Sequence, residues 1–406
     1  MSHDARNFGS RPPAPRCFIR LKHPAMIAAL APMVPVADTY HSRSHPDILI
    51  ATLEPEHKAL LQTAEVEIIP STQYEPLPAR PEVHAPLASH PFSLTDVLAH
   101  IRADQAWAHS RGAGVHVAIV DTGICGTMPE FAGAKKSPYS WAGTGQGDPW
   151  TDQQGHGSMT GSIAAGTRAS GGRYDGVAPD SPIIACKTSF DDTELYQIYD
   201  YLIQLVDTGK VGRLVVNNSY GLYQCTPPAV SRDDPFPSIV ALAVSKGIVA
   251  VFAAGNNHVV VCRNDRRQCG PNTIWGVNSM DEVLSVGTVN RDNRMDQPPG
   301  TPGGYSHQDS SRGPGQLARK TTKPDCVAPT YGEVMWGCGY SAMEWWGTSG
   351  AAPQVTGLAA LMLAANPTLT PKQVQNTIKS SCTGLGLPAT CAGAGLIDCL
   401  AAVTAV

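Results

Sequence analysis

The chain has 406 residues, of which 42% are hydrophobic and 16% charged, with a formal net charge of -4. This length supports one large buried core plus a smaller unit, and the acidic balance argues against a nucleic-acid partner. No apolar run is long enough to cross a bilayer, and no GxxxxGK[ST] phosphate loop is present, so neither a membrane nor a nucleoside triphosphate is an expected partner.

From the N-terminus, apolar runs predict strands over 17–21, 34–40, 48–53 and 66–69 and helices over 25–30 and 55–64, in the order βαββαβ. Prolines then cluster over 76–91, where no helical or strand period persists, and this segment reads as a linker. The expected organisation is a small module over 1–75, the proline-rich segment 76–91 and a large domain over 92–406. In the large domain, strands rich in β-branched residues are expected over 115–120, 183–186, 214–216, 248–254 and 283–289. Helical segments alternate with them. Leu195, Ile198, Leu202 and Leu205 share one helical face, and Thr370-Pro371 is an N-cap followed by proline, with Val374 and Ile378 on one side. Fully apolar strands alternating with helices predict an α/β class, a doubly wound, mostly parallel sheet with helices on both faces.

In such a sheet, functional groups gather beyond the carboxyl ends of the strands. Asp121 and Asn256 fall at two of those ends, whereas His156 and Ser349 open helical stretches. A serine hydroxyl is a weak nucleophile until a neighbouring imidazole takes its proton, and the imidazole needs a carboxylate on its other nitrogen to fix its tautomer. Ser349, His156 and Asp121 supply those three groups. Acyl transfer also requires donors for the oxyanion, and the Asn256 side chain and the Ser349 backbone N–H are the candidates.

Each residue alone has an ordinary structural explanation. Asp121 suits a turn, His156 a solvated loop, Asn256 a left-handed turn position and Ser349 a helix cap. Their conjunction in this order is what carries the chemistry. The blocks 117–123, 155–157, 253–256 and 347–353, together with Asn218-Ser219-Tyr220-Gly221, resemble five blocks of the subtilisin-like serine proteases, the subtilase family, and the likeness extends from about residue 92 to the C-terminus. Aspartate, histidine and serine also follow one another in the order known for subtilisin.

The resemblance implies a serine endopeptidase working through an acyl-enzyme, with Asp121, His156 and Ser349 catalytic and Asn256 in the oxyanion hole. It implies a polypeptide substrate, bound extended along Asn218, Ser219, Tyr220 and Gly221, with Ala253, Ala254 and Gly255 walling a side-chain pocket. It further implies that 1–75 is a ferredoxin-like propeptide, an intramolecular inhibitor whose tail enters the substrate groove, so that the chain is made as a zymogen. Spacing back from Asp121 points to a cut near 87–92, whereas the end of the module near Ile69 points to an earlier one. A peptide ligase using the same triad, and a silent subtilase fold used only for binding, are the alternatives.

No cofactor is expected. Subtilases often bind calcium in the loop after the histidine helix, but here that loop, 166–175, offers one aspartate and two arginines, a poor set of oxygen ligands, so no metal is expected there. Two positions depart from the usual serine block: Gly350 follows the nucleophile where methionine is common, and Gln354 stands where histidine is common. The insertion 258–271 carries Arg263, Arg266 and Arg267, expected to be solvated. Of eleven cysteines, Cys262 with Cys269 and Cys382 with Cys391 are expected as local staples, and Cys186 as a buried thiol. The polar, proline-bearing N-terminus lacks a convincing signal peptide, which leaves location open and favours the cytoplasm over secretion.

Overall fold

The computed structural model describes residues 16–30, 39–53, 58, 59, 61, 65–76, 91–295 and 306–406. It divides into two compact units, Met1–Thr72 and Gln73–Val406.

In the first unit, β1 (Arg16–Leu21), β2 (Tyr40–His41), β3 (Ile48–Thr52) and β4 (Val66–Pro70) form an antiparallel sheet in the order β2-β3-β1-β4. Alternate residues Cys17, Ile19 and Leu21 meet Leu49, Ala51, Leu53 and Val66 in a small core. The strand expected over 34–40 is seen as Tyr40–His41, most of the remainder lying outside the described residues. The helix expected over 55–64 falls largely outside them as well.

The second unit opens with the short strand β5 (Glu75–Pro76) and then builds one parallel sheet. In chain order its strands are β6 (His116–Asp121), β7 (Trp141–Ala142), β8 (Ile183–Lys187), β9 (Leu214–Asn218), β11 (Val249–Ala253), β12 (Leu284–Val289) and β13 (Cys326–Pro329), with β10 (Tyr220–Gly221) set apart from it after β9. The spatial order is β13-β12-β11-β9-β6-β8-β7, so β6 lies between β8 and β9 and the winding reverses beside it. The hairpin β14 (Gly332–Trp336) and β15 (Gly339–Met343) follows.

Every residue of β8, β9, β11 and β12 is buried, as expected for strands covered on both faces. The helix Asp192–Asp207 buries the stripe of Leu195, Ile198, Leu202 and Leu205 and packs against the helix Pro235–Ser245. The helices His156–Ala165 and Gly347–Ala365 form a second packed pair, the latter lying on β9, β11 and β12. Thr370 caps the helix Pro371–Ser381 through a capping box with Gln373, and Val374 and Ile378 are its buried face.

The expected cysteine staples are corrected by this structure. Its bridges are Cys125–Cys338 and Cys269–Cys391, which join segments far apart in sequence. Cys262 and Cys382 are free thiols instead: Cys262 faces the Gln224 carbonyl beside Cys225, and Cys382 turns back onto the Ile378 carbonyl of its own helix beside Cys326. Cys186 is a buried free thiol, as expected of a residue inside β8, and burial pushes its pKa well up.

Candidate active site

Asp121 ends β6, and its carboxylate is held from several directions. The His156 ring atom Nδ1 lies 2.7 Å from Oδ1, the Thr122 backbone N–H donates to Oδ1 at 2.8 Å, and Thr160 donates its hydroxyl to Oδ2 at 3.2 Å. Both Asp121 and His156 are buried. An imidazole fixed by a buried carboxylate on Nδ1 presents Nε2 for proton transfer.

His156 is the first residue of its helix, and Gly155 before it has φ of +92°, a conformation that favours glycine. Asp152 sets this turn. Its Oδ1 accepts the Gly155 N–H at 2.8 Å and the Thr122 hydroxyl at 3.0 Å, while its Oδ2 accepts the Ser158 N–H at 2.8 Å. Thr122 in turn accepts the Gly157 N–H, so the aspartate and histidine segments are tied directly to each other. A carboxylate here also suits the positive end of the helix. Asp152 carries no sequence signal of this role, because it lies outside the helix and the N-cap position itself is Gly155.

Ser349 lies in the first turn of the helix Gly347–Ala365 and is buried. Its hydroxyl donates to the Ser219 carbonyl at 3.3 Å, and the Ser219 hydroxyl donates to the Ser349 carbonyl at 2.9 Å. Asn256 lies three residues past β11, and its Oδ1 accepts both the Thr348 N–H at 3.1 Å and the Thr348 hydroxyl at 2.9 Å. With the oxygen so fixed, Nδ2 is turned toward Gly347, 2.9 Å from where a Cβ on that glycine would sit. Gly347 has φ of +66°, so both backbone and space require glycine beside this amide.

The two departures in the serine block have a packing explanation. A Cβ on Gly350 would lie 2.5 Å from the Trp346 Cβ and 3.2 Å from its indole Cε3, so Trp346 leaves no room for a larger residue. Gln354 donates to the Pro329 and Gly350 carbonyls.

The expected substrate strand is split by the structure. Asn218 belongs to the parallel sheet, where its amide donates to the Val251 carbonyl and its Oδ1 accepts the Tyr199 and Tyr220 hydroxyls. Tyr220 and Gly221 instead pair antiparallel with Pro76 and Glu75. On the other side of that segment, the Tyr74 N–H donates to the Phe190 carbonyl and Gln73 bridges to Asp191. Residues 73–76 thus run as an extended strand between two edges. Tyr74 is buried edge-on against Tyr220 and Phe236.

Ala253, Ala254 and Gly255 are buried beside this groove, the Ala253 carbonyl accepting from Asn278 and the Gly255 N–H donating to the Thr348 hydroxyl. Arg263, Arg266 and Arg267 are exposed, and Cys269 ties their loop to Cys391. In the loop 166–175, the Asp175 carboxylate accepts the Arg168 N–H and stands near Arg111.

The family model described as the subtilase family matches residues 112–395, most of the chain. The chain belongs to the subtilase family. It is 30% identical over 333 residues to Mycosin-4 of Mycobacterium tuberculosis, covering 74% of this chain and 67% of that protein. It is 28% identical over 303 residues to serine protease AprX of Bacillus subtilis, spanning 66% of this chain and 61% of that relative. To a subtilisin of Bacillus pumilus it is 29% identical over 305 residues, 73% of this chain and 93% of that one. The crystal structure of MycP1 with its N-terminal propeptide removed shares the fold, with a TM-score of 0.55 at 24% identity over 76% of this chain and 96% of that one. This subtilase is accordingly a subtilisin-like serine endopeptidase, an enzyme of polypeptide substrates.

Proposed function

We propose that Ser349 is the nucleophile, His156 the general base and then acid, Asp121 the carboxylate that orients and stabilises the imidazolium, and Asn256 with the Ser349 N–H the oxyanion donors. The 2.7 Å contact between His156 and the buried Asp121 carries this reading, because it leaves the imidazole one orientation in which to act. Ser349 Oγ attacks the scissile carbonyl, His156 takes the hydroxyl proton and hands it to the leaving amine, and water then releases the acyl group by the same route.

Residues 73–76 support a zymogen reading. Extended between the 190–191 and 220–221 edges, they stand where a peptide substrate would add as a strand. A substrate in this register brings the residue after the one at Pro76 level with Ser219, whose carbonyl meets the Ser349 hydroxyl. The N-terminal module then acts as an intramolecular inhibitor, and the register favours the earlier of the two expected cuts, a short way beyond Pro76.

The test is a serine-reactive phosphonate probe on the full chain, with mass spectrometry of the labelled residue and of the N-terminus. Labelling of Ser349 and a new N-terminus between 77 and 92 are expected in the wild type, with neither in Ser349→Ala. An unlabelled wild type whose N-terminal module has been removed by an added protease would overturn the catalytic assignment. A labelled but unprocessed wild type would overturn the self-cleaving zymogen.

A further inference from the structure

His156 has a second neighbour that the acyl-transfer scheme does not use. Trp336, the last residue of β14, stands edge-on to the imidazole, with ring centroids 6.4 Å apart and planes at 86°. Its indole also packs onto Gly155, with Nε1 only 2.6 Å from the point a Cβ there would occupy. One residue on, the Gly337 N–H donates to the Gly155 carbonyl at 3.2 Å. The tip of the β14–β15 hairpin therefore rests on the first turn of the histidine helix.

What holds the tip there is covalent. Cys338, in the hairpin turn, is bonded to Cys125, four residues past Asp121. The Cys125 N–H donates to the Ser158 hydroxyl at 2.8 Å, within the same first helical turn. The bridge thus closes a loop of contacts running from the Asp121 segment through Cys125, Cys338, Gly337 and Trp336 back to Gly155 and His156.

We propose that Trp336 is a positioning residue for His156 and that the Cys125–Cys338 bond holds it in place, so that turnover depends on the oxidised state of this one bridge. The inference rests on His156 being the general base. An indole pressed on the ring and on the preceding glycine restricts the imidazole to the orientation that Asp121 selects, and small misplacements of a catalytic group cost large factors in rate.

The bridge is open to exchange from one side. Cys338 is exposed, whereas Cys125 is buried. A dithiol thiolate attacks the Cys338 sulfur, the S–S bond breaks, and the Cys125 sulfur leaves as a thiolate that takes up a proton. The neighbouring Thr127 hydroxyl, 3.1 Å from that sulfur, stands ready to donate to the departing thiolate. The second thiol of the reductant then displaces the mixed disulfide, leaving two cysteine thiols and the oxidised, cyclic reductant.

The experiment uses processed enzyme and a chromogenic peptide, with dithiothreitol as reductant and alkylation with mass spectrometry to report which bridge has opened. Opening of Cys125–Cys338 is expected to lower kcat roughly 10- to 100-fold with KM changed by less than about 3-fold, and reoxidation to restore it. Cys338→Ser and Trp336→Ala should show the same loss and no further response to dithiothreitol, and Trp336→Phe should recover most of the rate. Cys391→Ser, which removes the other bridge, should keep both the activity and the response. Full kcat with the Cys125–Cys338 bridge verified open would overturn the proposal, as would a Trp336→Ala enzyme altered in KM alone. If oxidised wild type neither turns over nor labels at Ser349, the triad reading fails instead, and the two failures are told apart by that control.

Discussion

The Thr160 hydroxyl lies 3.2 Å from Asp121 Oδ2, on the carboxylate oxygen opposite the one that meets His156, and shares its proton with the Gly157 carbonyl at 3.1 Å. Thr160 lies one helical turn past His156, so a single helix supplies both the ring and a brace for the carboxylate that orients it. Thr160→Val keeps the shape and removes the donor. It should lower kcat about 10-fold with little change in KM, in line with the cost of losing a group that orients a ligating or catalytic residue. Steady-state kinetics on one peptide checks this, and an unchanged kcat would show that the brace is dispensable.

Asn256→Ala should reduce kcat about 100- to 1000-fold while the enzyme still takes the phosphonate label at a measurable rate, because the nucleophile and base remain. Thr348→Val, which removes the hydroxyl that fixes Asn256 Oδ1, should produce a smaller loss in the same direction. Comparable KM values across the three enzymes would place both effects in the transition state.

Tyr74 offers a separate handle on self-inhibition. Its ring is buried against Tyr220 and Phe236, and its phenol oxygen packs beside Gly276. A synthetic peptide of residues 70–76 should inhibit processed enzyme, and replacing its tyrosine by alanine should weaken inhibition at least ~30-fold through loss of a buried aromatic anchor. Phenylalanine, which loses only the phenol hydroxyl, should cost only about 5-fold. Equal inhibition by all three peptides would show that this pocket does not select its occupant.

His307 is buried with Nε2 at 2.7 Å from the Thr330 carbonyl, and burial lowers its pKa to about 4. The unfolded chain binds that proton near the ordinary histidine value of about 6.5, so between roughly pH 6.5 and 4 the unfolded state holds more protons and stability falls with falling pH. Asp309, raised to about 6 by burial, works in the opposite direction over most of that range, below about pH 6. His307→Gln should therefore flatten the acid limb of stability relative to wild type, as read by urea midpoints at pH 7 and pH 5 in the Ser349→Ala background. An unchanged difference between the two pH values would remove His307 from the account.

Gly350→Met, which restores the residue common after the nucleophile in related blocks, should destabilise this chain by about 2 kcal/mol or more, because Trp346 already fills that space. A drop in thermal midpoint checks it.

Much of this fold was legible because buried parallel strands advertise themselves as short runs of Val, Ile, Leu and Ala, and β6, β8, β9, β11 and β12 each fall within a residue or two of the expected spans. The edges were not. Strands β7 and β13 are too short to carry a pattern, and the hairpin strands β14 (Gly-Glu-Val-Met-Trp) and β15 (Gly-Tyr-Ser-Ala-Met) show no clean alternation. Asp121, His156, Asn256 and Ser349 were readable as residue types in order. Their supports, Asp152, Thr160, Thr348 and Trp336, were not, because a hydroxyl or indole becomes a brace only once folding sets it beside the group it holds. Cysteine pairing failed for the same reason, since distance along the chain says little about distance across a sheet whose strands are paired out of sequence order.

That strand order has a bearing on when the enzyme can first act. Strand β6, which ends in Asp121, and the helix that opens with His156 both leave the ribosome well before Ser349, and at ordinary elongation rates the gap is roughly ten to forty seconds. A nascent chain would hold acid and base without a nucleophile throughout that interval. With the proposed triad, placing the serine on a late helix that must settle across β9, β11 and β12 makes bond cleavage the last property the polypeptide acquires.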